Sequence, residues 1–166
     1  MTRRPAPPSG TSAPREATTP SGTIDLVSLA DEICLRYDAA YPDERDRYGP
    51  AGRAWCVHDN QHLLAWAIGD VHARVVDLLE QVAWLGRVLE ARDFPLERLA
   101  HDLEIAGDVV AMRLADEAVA ARLRAAAAFV RERGSFGINR LWDEMDRVGP
   151  GLDLPLYGGS YRPRPR

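Results

Sequence analysis

The run Val75-Val-Asp-Leu78-Leu79-Glu-Gln-Val82-Ala-Trp84-Leu85-Gly-Arg-Val-Leu89 spaces its apolar residues three and four apart, the period of one helical face. Val75, Leu78, Leu79, Val82, Leu85 and Leu89 form the stripe, with Trp84 alongside. This predicts a helix from about Val71 to Ala91, capped at its start by Asp70. No segment of the chain shows sustained period-two alternation, so the helical period sets the fold class.

Working outward, the same period predicts a preceding helix over about Ala51 to Ile68, stopped by Gly69 as its C′ residue. Before it, Tyr41-Pro-Asp-Glu-Arg-Asp-Arg-Tyr-Gly-Pro50 reads as a charged connector with room for one helical turn. A first helix is expected from Thr23, as N-cap, to about Tyr37, with Leu26, Ala30, Ile33 and Tyr37 on one side. Downstream, Pro95 opens a helix through Leu99, Leu103 and Ala106 that continues past Gly107 to Leu114. Another is expected over about Asp116 to Arg133, ended by Gly134, and then a short amphipathic piece with Leu141, Met145 and Val148. The expectation is an all-α single bundle of five or six helices over residues 23–148. Residues 1–22, rich in Pro, Ser and Thr, are expected to be a disordered arm, and residues 149–166 a flexible Pro/Gly/Arg tail.

The chain has 166 residues, which suits one domain, and a net charge of −4, which argues against nucleic acid as the main partner. All 21 basic residues are arginine, a compositional bias that suggests a GC-rich genome rather than phosphate recognition. The arginines of the last long helix read as a solvated face. No apolar run reaches the length of a membrane span, and the basic N-terminus has no apolar stretch behind it to make a secretory signal. Cys34 and Cys56 lack the density of a disulfide scaffold, so two buried reduced thiols in a cytoplasmic protein are expected.

Chemistry-capable residues crowd into Trp55-Cys-Val-His58-Asp59-Asn-Gln-His62, which continues into Leu-Leu-Ala-Trp66. On a helix His58 and His62 lie one turn apart with Asp59 nearby, a polar cluster in an apolar frame. Asp59-x-x-His62 and His101-x-x-Glu104, with His58, together offer five candidate ligands for iron or zinc, and a single histidine would suffice for haem. The second pair is reversed relative to the di-iron Glu-x-x-His form, which occurs nowhere in the chain. The plainer reading is a polar edge on a packed helix, with no cofactor. A nucleophile elbow and a phosphate loop are both missing from the sequence.

The tail holds a second set of candidates. Leu152, Leu154, Leu156 and Tyr157 alternate in a Pro-containing segment suited to an extended docking peptide, and Arg162, Arg164 and Arg166 form a stiff basic end for an acidic partner surface.

The series Cys56-x-His58-Asp59-x-x-His62-Leu63-Leu64, Val82-Ala-Trp84-Leu-x-x-Val-Leu89 and Arg92-x-x-Pro95-x-x-x-Leu99 resembles the helical domain accompanying cobalamin-binding domains in bacterial regulatory proteins. The resemblance covers about residues 24–130 and implies a self-contained helical module used for sensing or docking rather than catalysis. Cobalamin binding is not carried over, because no α/β segment follows the helices in this sequence. The leading expectation is a non-enzymatic, cytoplasmic regulatory module with a small-ligand pocket near the second helix and a protein partner at the tails. Self-association is left open. The alternative is a metal- or haem-binding helical protein, with a di-iron oxidase as its enzymatic form.

Overall fold

A computed structural model describes residues 13–137 of the protein. Five helices and one short hairpin make up these residues, so the all-α expectation holds. The expected piece around Leu141, Met145 and Val148, and the tail after it, lie outside the described residues.

Part of the expected arm is instead built into the fold. Strands β1 (Glu16–Thr19) and β2 (Gly22–Asp25) pair antiparallel, with Glu16 opposite Asp25 and Thr19 opposite Gly22. Pro20 and Ser21 make the two-residue turn, where proline presets the backbone and the Thr19 hydroxyl donates to the Gly22 carbonyl at 3.1 Å. Gln61 Nε2 donates to the Pro14 carbonyl at 2.9 Å and ties this segment to the second helix. The strands are four residues each, too short for alternation to register against the polar composition around them.

Helix α1 (Leu26–Ala40) starts two residues later than expected, because Asp25 rather than Thr23 is its N-cap and accepts from Val27 and Ser28. Leu26, Ala30, Ile33 and Tyr37 are buried, as the stripe predicts. Helix α2 (Asp43–Ile68) comprises a short first turn, a kink at Gly49, and the long helix expected after Pro50. Gly49 has φ 62° and ψ −159°, a combination that a side chain makes costly, although there is open space around it. Gly49→Ala is therefore expected to lower stability by about 1–3 kcal/mol through backbone strain alone. An unchanged urea midpoint would show that the kink relaxes freely.

Gly69 does not end α2. It stays right-handed, at φ −64°, and the chain continues through a π-helical turn, Gly69–Ala73, closed by Arg74 in the left-handed region. The π turn shifts the phase of the stripe. Val75 is consequently 78% exposed, and α3 (Leu78–Glu90) begins at Leu78 with Asp77 as its cap. Asp70, the expected cap, still accepts the Leu78 amide at 2.9 Å from across the turn, and it also accepts from Arg122 at 2.7 Å.

Helices α4 (Leu96–Leu114) and α5 (Glu117–Arg133) form an antiparallel pair. They approach closely at Gly107, where an added Cβ would meet Arg124 Cγ at 3.0 Å and the Ala120 carbonyl at 3.1 Å. Three of the four α5 arginines form ion pairs, and Arg133 lies over the Phe129 ring. Arg124 reaches Asp108, Arg131 reaches Glu97 and Glu104, and Arg122 reaches Asp70 and Asp77. Each such partly exposed pair adds at most about 1 kcal/mol. The core sits inside these helices, with Leu63, Leu78, Leu103 and Leu123 fully buried, each contributing roughly 1.5–3 kcal/mol. No helix among the described residues is long and apolar enough to cross a membrane.

The cysteine expectation is overturned. Cys34 on α1 and Cys56 on α2 face each other across the helix crossing, Cα atoms 6.1 Å apart, and are joined as a disulfide. Their local settings look like ordinary core positions, and only the crossing brings the sulfurs together. The cysteines thus give no argument for a reducing compartment.

Candidate functional site

Along α2 the rings of Trp55, His58, His62 and Trp66 stack in sequence, with centroid separations of 5.3, 4.8 and 5.5 Å. His58 Nδ1 hydrogen-bonds Asp59 Oδ1 at 3.2 Å, so the cluster expected on this helix exists. Burial, and then the neighbouring His58, hold the His62 imidazole below its usual range and disfavour its charged form.

The other two candidates are engaged elsewhere. His101 Nδ1 hydrogen-bonds the Tyr41 hydroxyl at 2.8 Å. Glu104 is held by Arg131, whose hydrogen bond keeps its carboxyl below the ordinary carboxylate range. The structure therefore joins His58, Asp59 and His62 but does not add His101 and Glu104 to them. Among the described residues no group of three or more His, Cys, Asp or Glu side chains is placed to hold a metal ion.

Trp55 and Asp59 also border a cavity of about 80 Å³ between the helices. Its inner end is buried and consists of Asn60 and Leu63 from α2, Leu85 and Leu89 from α3, and Leu99 and Asp102 from α4. The half-buried rings of Tyr48 and Phe94, 6.2 Å apart, stand at its outer end. Tyr37 of α1 forms another wall.

Asp102 is the unusual member. It is 8% exposed, and among the described residues its one hydrogen bond comes from Asn60 Nδ2 at 3.2 Å. No cation among the described residues pairs with it. Burial pushes its carboxyl up to about 7, opposed by the Asn60 hydrogen bond and assisted by the negative charge of Asp59. Asn60 is oriented by the same contacts. Its Nδ2 also donates to the Cys56 carbonyl at 3.1 Å, and turning the amide over would set oxygen against oxygen at both places. Its Oδ1 is buried and has no hydrogen-bond partner among the described residues.

The first turn of α2 covers this region. Arg98 binds Asp43 Oδ2 at 2.8 Å and also Glu44, while the Tyr37 hydroxyl donates to Glu44 Oε1 at 3.1 Å. Burial, and then Glu44, push the Tyr37 phenol up, so it stays a donor. The Arg98 hydrogen bond holds the Asp43 carboxyl below its usual range. The Gly49 kink and the Arg98 clamp together position Tyr48 at the cavity.

Asn60 and Asp102 were both absent from the sequence-based candidates. A signal was present. Asp102 lies three residues after Leu99 and four before Ala106, and Asn60 lies three before Leu63 and seven before Ala67, so each sits on a buried stripe. Two polar residues at core positions on separate helices point to a buried polar pair.

A broader open groove of about 520 Å³ runs between α2 and the segment just before β1, past Arg15, Asp31, Arg53 and His58. Arg53 is already held by Asp38 at 2.7 Å, and the groove reaches Ala13, the first described residue. The tail candidates Leu152, Leu154, Leu156, Tyr157, Arg162, Arg164 and Arg166 lie outside the described residues. No family model, curated protein or solved structure matches this chain.

Proposed function

We propose that this protein is a non-enzymatic helical sensing module whose ligand enters the cavity at Asn60 and Asp102. The observation that carries this reading is a buried carboxylate bordering a cavity, with no charge partner among the described residues, a costly arrangement in a purely structural core. The cavity is walled by α1, α2, α3 and α4, so an occupant touches every helix except α5. Binding there would favour one packing of those helices over another, which is how a module without chemistry reports a signal. The resemblance of the helical run to the domain beside cobalamin-binding domains supports a regulatory setting, with a partner protein at the tails receiving the output. The cavity itself is too small for a tetrapyrrole.

The test is thermal denaturation against a panel of small cationic, neutral and anionic compounds, with wild type and Leu89→Phe compared. The substitution places a ring on the cavity wall. At least one compound is expected to raise the wild-type Tm by roughly 5 °C at a hundredfold excess over Kd, and to do less in the variant. A panel with no effect on wild type, or an equal effect on both proteins, would remove the reading.

A further inference from the structure

We propose that the Asn60–Asp102 cavity is a site for a small organic ammonium cation, or for the ammonium head of a longer molecule. The proposal rests on the sensing reading above and names the ligand class.

Charge points to a cation. Four carboxylates line the cavity, those of Asp38, Glu44, Asp59 and Asp102, against the single guanidinium of Arg98. Three of the four are already partnered. Asp38 takes Arg53 at 2.7 Å, Glu44 takes Arg98 and the Tyr37 hydroxyl, and Asp59 takes His58 at 3.2 Å. Asp102, among the described residues, has only an amide donor, although it is the most deeply placed. A cation beside it would supply the missing charge, and the carbonyl-type acceptor Asn60 Oδ1, unpartnered nearby, is a second group suited to an N–H donor.

The lining decides which cation. Calcium or magnesium would need about six oxygen ligands, and no metal-holding group of His, Cys, Asp and Glu occurs among the described residues. Four aromatic rings share the remaining lining with leucines: Tyr37, Tyr48, Trp55 and Phe94. Ring faces attract alkylammonium groups, and burial strengthens that attraction. Size sets an upper limit. The cavity of about 80 Å³ is roughly half the 150 Å³ of an engineered cavity that accepts benzene, so it admits on the order of two to four non-hydrogen atoms. Methylammonium through trimethylammonium fall in that range, and anything longer must leave past Tyr48 and Phe94.

The ionisation of Asp102 makes the site pH-dependent. Facing it are Tyr37 and Asp38 from α1, Glu44 from the first turn of α2, Asp59 from the long part of α2, and Arg98 on its own helix, while α3 contributes only Leu85 and Leu89. Arg98 remains charged, and Glu44 and Asp43 hold it. Cation binding requires the Asp102 carboxylate, which forms as pH rises through about 7.

The experiment is isothermal titration of the full chain with trimethylammonium and methylammonium chlorides, against isopropanol and sodium acetate at matched ionic strength. An ammonium probe is expected to bind at least tenfold more tightly than isopropanol at pH 8. Its affinity should fall roughly tenfold or more at pH 5.5, where Asp102 is protonated. Asp102→Asn should lose at least tenfold at pH 8, and this variant is expected to fold more stably than wild type, so loss of structure does not confuse the result. Leu89→Phe should weaken all cavity ligands alike. If isopropanol or acetate binds as well as the ammonium probes, or Asp102→Asn binds ammonium unchanged, the ligand class is wrong while the sensing reading stands. If nothing in the panel binds, the cavity holds only water, and both proposals fall.

Discussion

Asp102→Asn is expected to stabilise the protein at pH 8 and to flatten its dependence on pH. The wild-type carboxyl titrates near 7 in the folded state and near 3.8 unfolded. Between those values the folded chain binds more protons than the unfolded chain, so stability falls as pH rises. The full contribution is present below about pH 4 and is lost by about pH 7 to 8. The interval corresponds to roughly 4 kcal/mol. Asparagine keeps the shape and can still accept the Asn60 amide hydrogen bond, without placing a charge in a buried position. Urea denaturation at pH 5 and pH 8 should show wild type losing on the order of 2–4 kcal/mol across that range, with the variant nearly level apart from its other groups. A variant less stable than wild type at pH 8 would mean that the carboxylate has a compensating partner. That partner could not be the Arg98 guanidinium in its described position, which is spent on Asp43 and Glu44.

Reduction of the Cys34–Cys56 bond should have a comparable effect. The bridge spans 22 residues and joins α1 to α2 across the connector that contains the Gly49 kink. Closing a loop of that length in the unfolded chain accounts for about 3 kcal/mol. Reductant is expected to lower the urea midpoint of wild type accordingly and to leave a Cys34→Ala, Cys56→Ala double variant unaffected. The double variant should itself be less stable than the oxidised protein. Two free thiols in unreduced protein, with a midpoint that reductant does not move, would show that the bond does not form in solution. Because Asn60 Nδ2 lies 3.8 Å from Cys34 Sγ and 3.7 Å from Cys56 Sγ, reduction should also loosen the amide that supports Asp102. The steep decline of stability between pH 4 and 7 would then shift as the carboxyl loses its one donor.

Much of the architecture was legible from periodicity because a helical stripe is a local property. Residues three and four apart share a face whatever else the chain does, so Leu78, Val82, Leu85 and Leu89 could be assigned to the core before any tertiary contact was known. Asp116 and Gly134 likewise mark the ends of α5 through chemistry confined to one turn. Boundaries failed where two local solutions compete. Gly69 can end a helix or continue it, and the π turn that carries the chain on to Arg74 is closed by contacts beyond α2, including Asp70 with Arg122 of α5 and His72 with Asp116.

The site candidates divide in the same way. The proximity of His58, Asp59 and His62 needs only one helix and was readable directly, whereas placing His101 and Glu104 beside them required two helices to cross in a particular register. They cross so that Tyr41 and Arg131 take those groups instead. The sequence by itself determined an all-α class, the core stripes and the α2 cluster, because each depends on neighbours within about one helical turn. Only the tertiary structure decided that Cys34 meets Cys56, that Asn60 supports Asp102, and that a lined cavity lies beside them. Those three facts depend on how far and at what angle separate helices approach, which no single helix encodes.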